Sequence, residues 1–221
     1  RHLSKEKEEP AWVLDIRLKA LKLFNELQDP DWGPDISYLD INKIATYVKP
    51  INNEKRKWED VPEDIRDVFD KLGIPEAEKE QLAGSGAQFD SEVVYHNLTE
   101  DLKKQGVIYT SFDEGVRLYP ELVKEYFTKA VPINDHKYIA LHYALFSGGS
   151  FVYIPKNAKL DRPLQSYFRI NSKNMGQFER TLIIVDDNSL VSLFCKCPCT
   201  VYRAEVELDT LTDTDRTGTK Y

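Results

Sequence analysis

Residues 146–187 read FSGGSFVYIPKNAKLDRPLQSYFRINSKNMGQFERTLIIVDD. Three short runs of alternating or apolar residues are parted by turn formers at Gly148-Gly149, Lys156 to Pro163 and Asn171 to Gly176. In the first run Phe151, Tyr153 and Pro155 fall on one side of an extended strand, with Val152 and Ile154 on the other. In the second, Leu164, Ser166, Phe168 and Ile170 share a face opposite Gln165, Tyr167 and Arg169. The third, Thr181 to Val185, is almost continuously apolar and predicts a strand covered on both sides. Strands in close succession, with no helical stretch between them, predict stacked β-coils or a sandwich rather than a βαβ unit.

Working outward, the segments before this region are mostly helical. Pro10 suits a first helical position, and Val13, Ile16, Ala20, Leu23, Phe24 and Leu27 repeat at three- and four-residue spacing. Ser4 would cap an earlier start, although Lys7 three residues on denies it a capping box. Asp29-Pro30 and Gly33-Pro34 end the helix. A second helix is predicted over Pro62 to Leu72 and a third, short and charged, over Pro75 to Leu82. Ala83 to Ala87 (AGSGA) reads as a hinge or loop. Beyond it, Glu92 to Tyr95 and Val107 to Tyr109 read as strands around a small helix at Thr99 to Lys104. Pro120 to Phe127 and Asp135 to Leu145 are helical again. The expected organisation is α+β: an N-terminal α/β domain over 1–131, a strand-stacked core over 132–202, and a polar, Thr- and Asp-rich tail over 203–221 whose composition suits disorder.

Composition narrows the function classes. A chain of 221 residues holds one sizeable core or two small ones, and 41% hydrophobic with 30% charged residues is ordinary for a globular protein. A net charge of −7 leaves no basic face for phosphates, which argues against nucleic-acid binding. The sequence has no membrane-length apolar run and no signal-peptide pattern, so the expectation is a cytoplasmic protein without membrane contact. The first residue is Arg1, as in a processed or incomplete product.

All three cysteines fall in Cys195-Lys196-Cys197-Pro198-Cys199. Alternate positions of an extended strand share a face, so three thiols could project together, bind a soft metal or exchange sulfur. Structural zinc sites need four ligands at wider spacing, and His2, His96, His136 and His142 lie far off in sequence. His96 reads as a hydrogen-bonded residue at a strand end, His142 as a packing residue beside Tyr138, and Glu179-Arg180 as an ion pair at a strand entrance. FSGGSF lacks the Gly-Lys-Ser/Thr of a phosphate loop, and no hydrolase elbow is present, so catalysis by this chain alone is not expected.

The same blocks carry a resemblance. FSGGSFVYIP, LQSYFRIN and NMGQFERTLIIVDD are similar to the start of the core of SufB, the scaffold subunit of the SUF iron–sulfur cluster assembly machinery. DPDWGPDISYLDI, WEDVPEDIRDVFDKLGIPEAEKEQLAGSGAQFDSEVVYHNL and QGVIYTSFDEG resemble the same SufB/SufD family in the same order upstream. The resemblance implies the first coils of a right-handed β-helix after the α/β domain. It also implies a role in accepting sulfur and partnering the SufC ATPase, SufD and a sulfur-carrier protein. An iron–sulfur cluster would be held transiently by the full-length family, with no cofactor bound firmly by this chain.

Aligned without gaps, Cys197 falls on the family cysteine of the sulfur path, while Cys195 and Cys199 replace the usual Glu and Ala and remain auxiliary thiols. After Tyr202 the resemblance stops, and the family's later coils and helices have no counterpart here. A fragment, an altered reading frame after about Leu193 and a shortened paralogue all fit that pattern. Two alternatives stand beside the scaffold: a β-helix enzyme acting on carbohydrate through Asp161, Glu179, Asp186 or Asp187, and a non-functional truncated remnant.

Overall fold

The structure is a computed structural model, and it describes residues 1–32, 36–49, 54–55, 57–71, 82–196 and 201–207. Helix α1 (His2–Glu6) leads through Pro10 into α2 (Ala11–Glu26), where Pro10 occupies the cap position. Ser4 lies inside α1, buried, rather than capping it. The second predicted helix is α3 (Glu63–Lys71), which starts one residue after Pro62. The helix expected over 75–82 lies outside the described residues except for Leu82.

AGSGA is not a hinge. Gly84–Phe89 forms strand β1, paired antiparallel with β2 (Glu92–Leu98) and parallel with β5 (Leu164–Arg169), so it runs inside a sheet. Glycine is required by close approach rather than by flexibility. A Cβ at Gly84 would stand 2.8 Å from Asn97 O and from Tyr109 Cδ1, and one at Gly86 2.9 Å from His96 Cδ2.

Next come α4 (Glu100–Lys104), β3 (Ile108–Ser111), α5 (Phe112–Leu118), α6 (Pro120–Tyr126) and α7 (Lys137–Leu145). Helix α5 was not legible as periodicity, yet Ser111-Phe112-Asp113-Glu114 is a capping-box signature, and Ser111 Oγ accepts from Glu114 N at 3.3 Å. The strand-rich region supplies β4 (Ser150–Ile154), β5, β6 (Leu182–Val185) and β7 (Leu190–Lys196), followed by β8 (Val201–Glu207).

Two mixed sheets result, in the orders β2-β1-β5-β7-β8 and β3-β4-β6, with no closed barrel among the described residues. The parallel pairs join residues 29 or 31 positions apart. Phe151 stands opposite Leu182 in β4–β6, Leu164 opposite Leu193 in β5–β7, and Lys159 bridges to Leu190. The corners stack as well: Asn157 and Asn188 both take positive φ, and Asn188 Nδ2 donates to Asn157 Oδ1 at 2.7 Å.

Apolar side chains sort into three layers. Between the sheets lie Leu98, Val152, Ile154, Leu164, Val191 and Leu193. Outside the three-stranded sheet, Val13 and Ala20 of α2 pack with Phe112, Val116, Phe127, Tyr143, Phe146 and Phe151. Outside β1 and β2, α3 adds Ile65 and Phe69 to Trp58, Val94 and Tyr95. Strand β6 departs from the expectation of cover on both sides: Ile184 is 7% exposed but Ile183 39%, because β6 is the outer strand of its sheet among the described residues. The boundary expected at 131/132 is spanned by the β1–β5 and β3–β4 pairs. Residues 203–207 of the expected tail belong to β8, and 208–221 lie outside the described residues.

Candidate functional site

The cysteine segment leaves the five-stranded sheet at the end of β7. Cys195 stands in register with Ser166 of β5 on one side and Tyr202 of β8 on the other, and β7 ends at Lys196. Cys197 and Cys199 lie outside the described residues. What the structure fixes is therefore the backbone of Cys195 within the ladder.

Along that register the sheet presents His96, Gly86, Ser166 and Cys195 on successive strands. Ser166 sits in a directed chain of hydroxyls. Tyr109 OH donates to Gln165 O at 2.8 Å; with that proton committed, Ser166 Oγ donates to Tyr109 Oη at 2.7 Å and accepts from Ser150 Oγ at 2.9 Å. All three hydroxyl residues are buried, so each bond replaces solvent that folding removes. His96 lies within β2 rather than at its end, 1% exposed, with its ring edge-on to Tyr109 at 4.0 Å between centroids.

A second polar knot anchors the FSGG turn. Gly148 and Gly149 both have positive φ, and a Cβ on Gly149 would fall 2.1 Å from Arg180 O. Gln88 of β1 binds the turn, accepting from Gly149 N at 2.8 Å and donating to Asp90 O at 2.9 Å. Asp113 of α5 accepts from Gly148 N at 3.2 Å and from Lys7 Nζ at 2.5 Å, and Lys7 also pairs with Glu92 at 3.0 Å. Burial pushes the Lys7 ammonium down, but Asp113 and Glu92 outweigh it and hold it above its ordinary range. Tyr47 OH donates to Glu92 at 2.6 Å, and burial with that carboxylate drives the phenol upward. Sequence reading missed this knot because its members are remote in the chain.

The turn after β5 is held by Asp90, which is buried with positive φ. Its carboxylate accepts from Asn171 N at 2.7 Å, Ser172 N at 2.9 Å and Ser172 Oγ at 2.7 Å, fixing where the chain leaves the sheet.

Glu179 and Arg180 do not form the expected ion pair. Glu179 accepts from Thr181 Oγ1 at 2.9 Å, and burial raises its carboxyl pKa, whereas Arg180 lies over the Tyr143 ring at 4.0 Å. His142 is half-buried on α7 with Phe178 edge-on at 6.3 Å, and desolvation lowers its imidazole to about 4. Of the acidic residues considered for carbohydrate chemistry, Asp186 and Asp187 also have structural duties. Asp186 caps the Asp187 N–H at 2.8 Å, and Asp187 pairs with Lys156 at 3.5 Å. Among the described residues no group of three or more His, Cys, Asp or Glu is placed to hold a metal, and no helix is long and apolar enough to cross a membrane.

Comparison with known proteins meets this geometry at the level of family. A sequence model of the SufBD protein N-terminal region matches residues 8–166, so it spans α2 through the middle of β5. An iron–sulfur cluster assembly SufBD family protein of Staphylococcus haemolyticus is 55% identical over 202 residues, covering 91% of this chain and 43% of that protein. Its counterparts in Staphylococcus epidermidis, 56% identical over 200 residues, and Staphylococcus aureus, 53% over 202, cover 90% and 91% of this chain and 43% of their own length. The chain thus spans less than half of these relatives. On that match, the chain belongs to the SufBD family, whose members named here take part in iron–sulfur cluster assembly.

Proposed function

We propose that the chain is the N-terminal part of a SufB-type scaffold subunit for iron–sulfur cluster assembly, and that Cys197 is its sulfur acceptor. The observation that carries the scaffold reading is the family match over residues 8–166; the Cys197 assignment rests on the sequence resemblance after β7, beyond that match. Repeated parallel pairing, β4 with β6 and β5 with β7, supports reading the strands as the first coils of a right-handed β-helix. In this role the chain is not itself an enzyme and works in the cytoplasm. Its partners are the SufC ATPase, SufD and a sulfur-carrier protein, and the nascent iron–sulfur cluster is cargo rather than a resident cofactor.

The chemistry asked of Cys197 is one displacement. Its thiolate attacks the outer sulfur of a donor persulfide, the donor S–S bond breaks, the donor leaves as a thiolate, and Cys197 carries the persulfide. Incubating the full 221-residue chain with a cysteine desulfurase, its carrier and radiolabelled cysteine tests the reading. Protein-bound label released by reductant is expected; no label above that on a chain lacking all three cysteines refutes it.

A further inference from the structure

Helix α2 carries two apolar faces. One is docked on the fold: Val13, Arg17 and Ala20 are buried, and Trp12 and Ile16 pack against the same layer. The other is made of Leu14, Leu18 and Leu21, rotated roughly 100° about the helix axis from the first. These leucines belong to none of the three apolar layers among the described residues. Leu14 and Leu18 are half-buried, and Leu21 is 45% exposed.

A single exposed leucine is ordinary, but these three keep a register. With exposed Ala11 before them and exposed Asn25 after, the spacing runs three, four, three, four. That is the seam of a coiled coil, whose a and d positions seek a second helix. The two flanks of the seam differ. On one side Arg17 is closed in by Glu9, Ala144 O and Phe146 O, and Phe24 lies beneath the Lys137 ammonium at 5.5 Å. On the other side Asp15, Lys19, Lys22 and Glu26 are all exposed. Lys22 meets Glu26 only at 3.8 Å, with both side chains mostly in solvent, so it can take another partner.

The charges choose the partner and its direction. Asp15 and Lys22 stand on the open flank, three residues before Leu18 and four after it. In an antiparallel pair with a two-fold axis near Leu18, Leu14 meets Leu21 of the other copy and Asp15 comes beside its Lys22, each twice by symmetry. A parallel pair would instead set the open flank of one helix against the closed flank of the other. We infer that the Leu14, Leu18 and Leu21 face of α2 is an interface for a second copy of this chain, docked antiparallel. A helix of 16 residues is about 24 Å long, so the patch is small and the association weak. The interface uses no cysteine and does not rest on the sulfur-acceptor role, so either can fail alone.

Sedimentation equilibrium of the full chain, from about 10 µM to about 1 mM, tests it. Reductant is kept present so that Cys195, Cys197 and Cys199 cannot link copies. The expected result is a reversible monomer–dimer equilibrium. Leu21→Lys should weaken it at least about tenfold, because it puts a charge into an apolar seam. Asp15→Lys and Lys22→Asp should each weaken it as well, and the double exchange should restore it by reversing the pair. Leu21 and both charges are exposed, so the variants should keep the parent's far-ultraviolet dichroism. Ile183→Lys, on the outer strand β6, should leave the dimer unchanged. A monomer throughout, a dimer lost in Ile183→Lys but not in Leu21→Lys, or no recovery in the double exchange would overturn the proposal.

Discussion

Single side chains decide this fold where they are both buried and obligatory. Lys7 is the clearest case. Replacing it with Met leaves Glu92 and Asp113 facing one another without a cation, an arrangement that typically costs about 3–5 kcal/mol. Chemical denaturation of Lys7→Met should show a loss of that order, with Lys7→Arg losing less. Gly149→Ala should cost at least about 2 kcal/mol by the same measurement, since its φ of +88 and the Arg180 carbonyl both oppose a Cβ.

His142 supplies a pH-dependent term. Its pKa falls from an ordinary 6.5 to about 4 in the folded chain, chiefly by desolvation and then by the Arg180 charge. The unfolded chain therefore binds the extra proton first, and stability is lost as pH falls from about 6.5 towards 4. Glu179, raised by burial, works in the opposite direction, its contribution being lost as pH rises through its folded pKa. Urea denaturation of parent and His142→Phe across that window should show the parent losing roughly 2–3 kcal/mol more than the variant, and equal losses would remove His142 as the cause.

At the scale of elements, most of what the sequence predicts is present, and the departures have physical reasons. Helices α2 and α3 were legible because their apolar residues keep one face for one neighbour, and β4 and β5 because their alternation meets two separate layers. Strand β1 was not legible. Its small residues answer to Tyr109, Asn97 and His96, which arrive from other elements, and no local pattern in AGSGA announces them. Gly86→Val should accordingly disrupt the five-stranded sheet far more than the same change at a true hinge. Amide exchange in the β1 and β5 strands would report it as lost protection, whereas unchanged protection would restore the loop reading.

The site was legible only in part. Three cysteines at alternate positions drew attention to the end of β7, and the backbone of Cys195 lies in the ladder. The hydroxyl chain, the Lys7 knot and the Asp90 cradle were invisible because each joins residues dozens of positions apart.

For the whole molecule, the two sheets and three apolar layers tie the early chain to the late chain. Val13 packs in one cluster with Phe146 and Ile184, and Gly84 pairs with Leu164. Thermal unfolding of the full chain should therefore be one transition by near- and far-ultraviolet dichroism, and two separated transitions would argue for independent units on either side of residue 131.

The functional claim turns on which thiol takes sulfur. Cys195 is fixed in the ladder beside Ser166, whereas Cys197 follows the last residue of β7. Persulfide should be mapped by mass spectrometry after transfer from a carrier to the parent and to Cys195→Ala, Cys197→Ala and Cys199→Ala. Persulfide on residue 197 in the parent, and loss of most transfer in Cys197→Ala alone, is the predicted result. Undiminished transfer in Cys197→Ala, with loss in Cys195→Ala or no difference among the three, would contradict it.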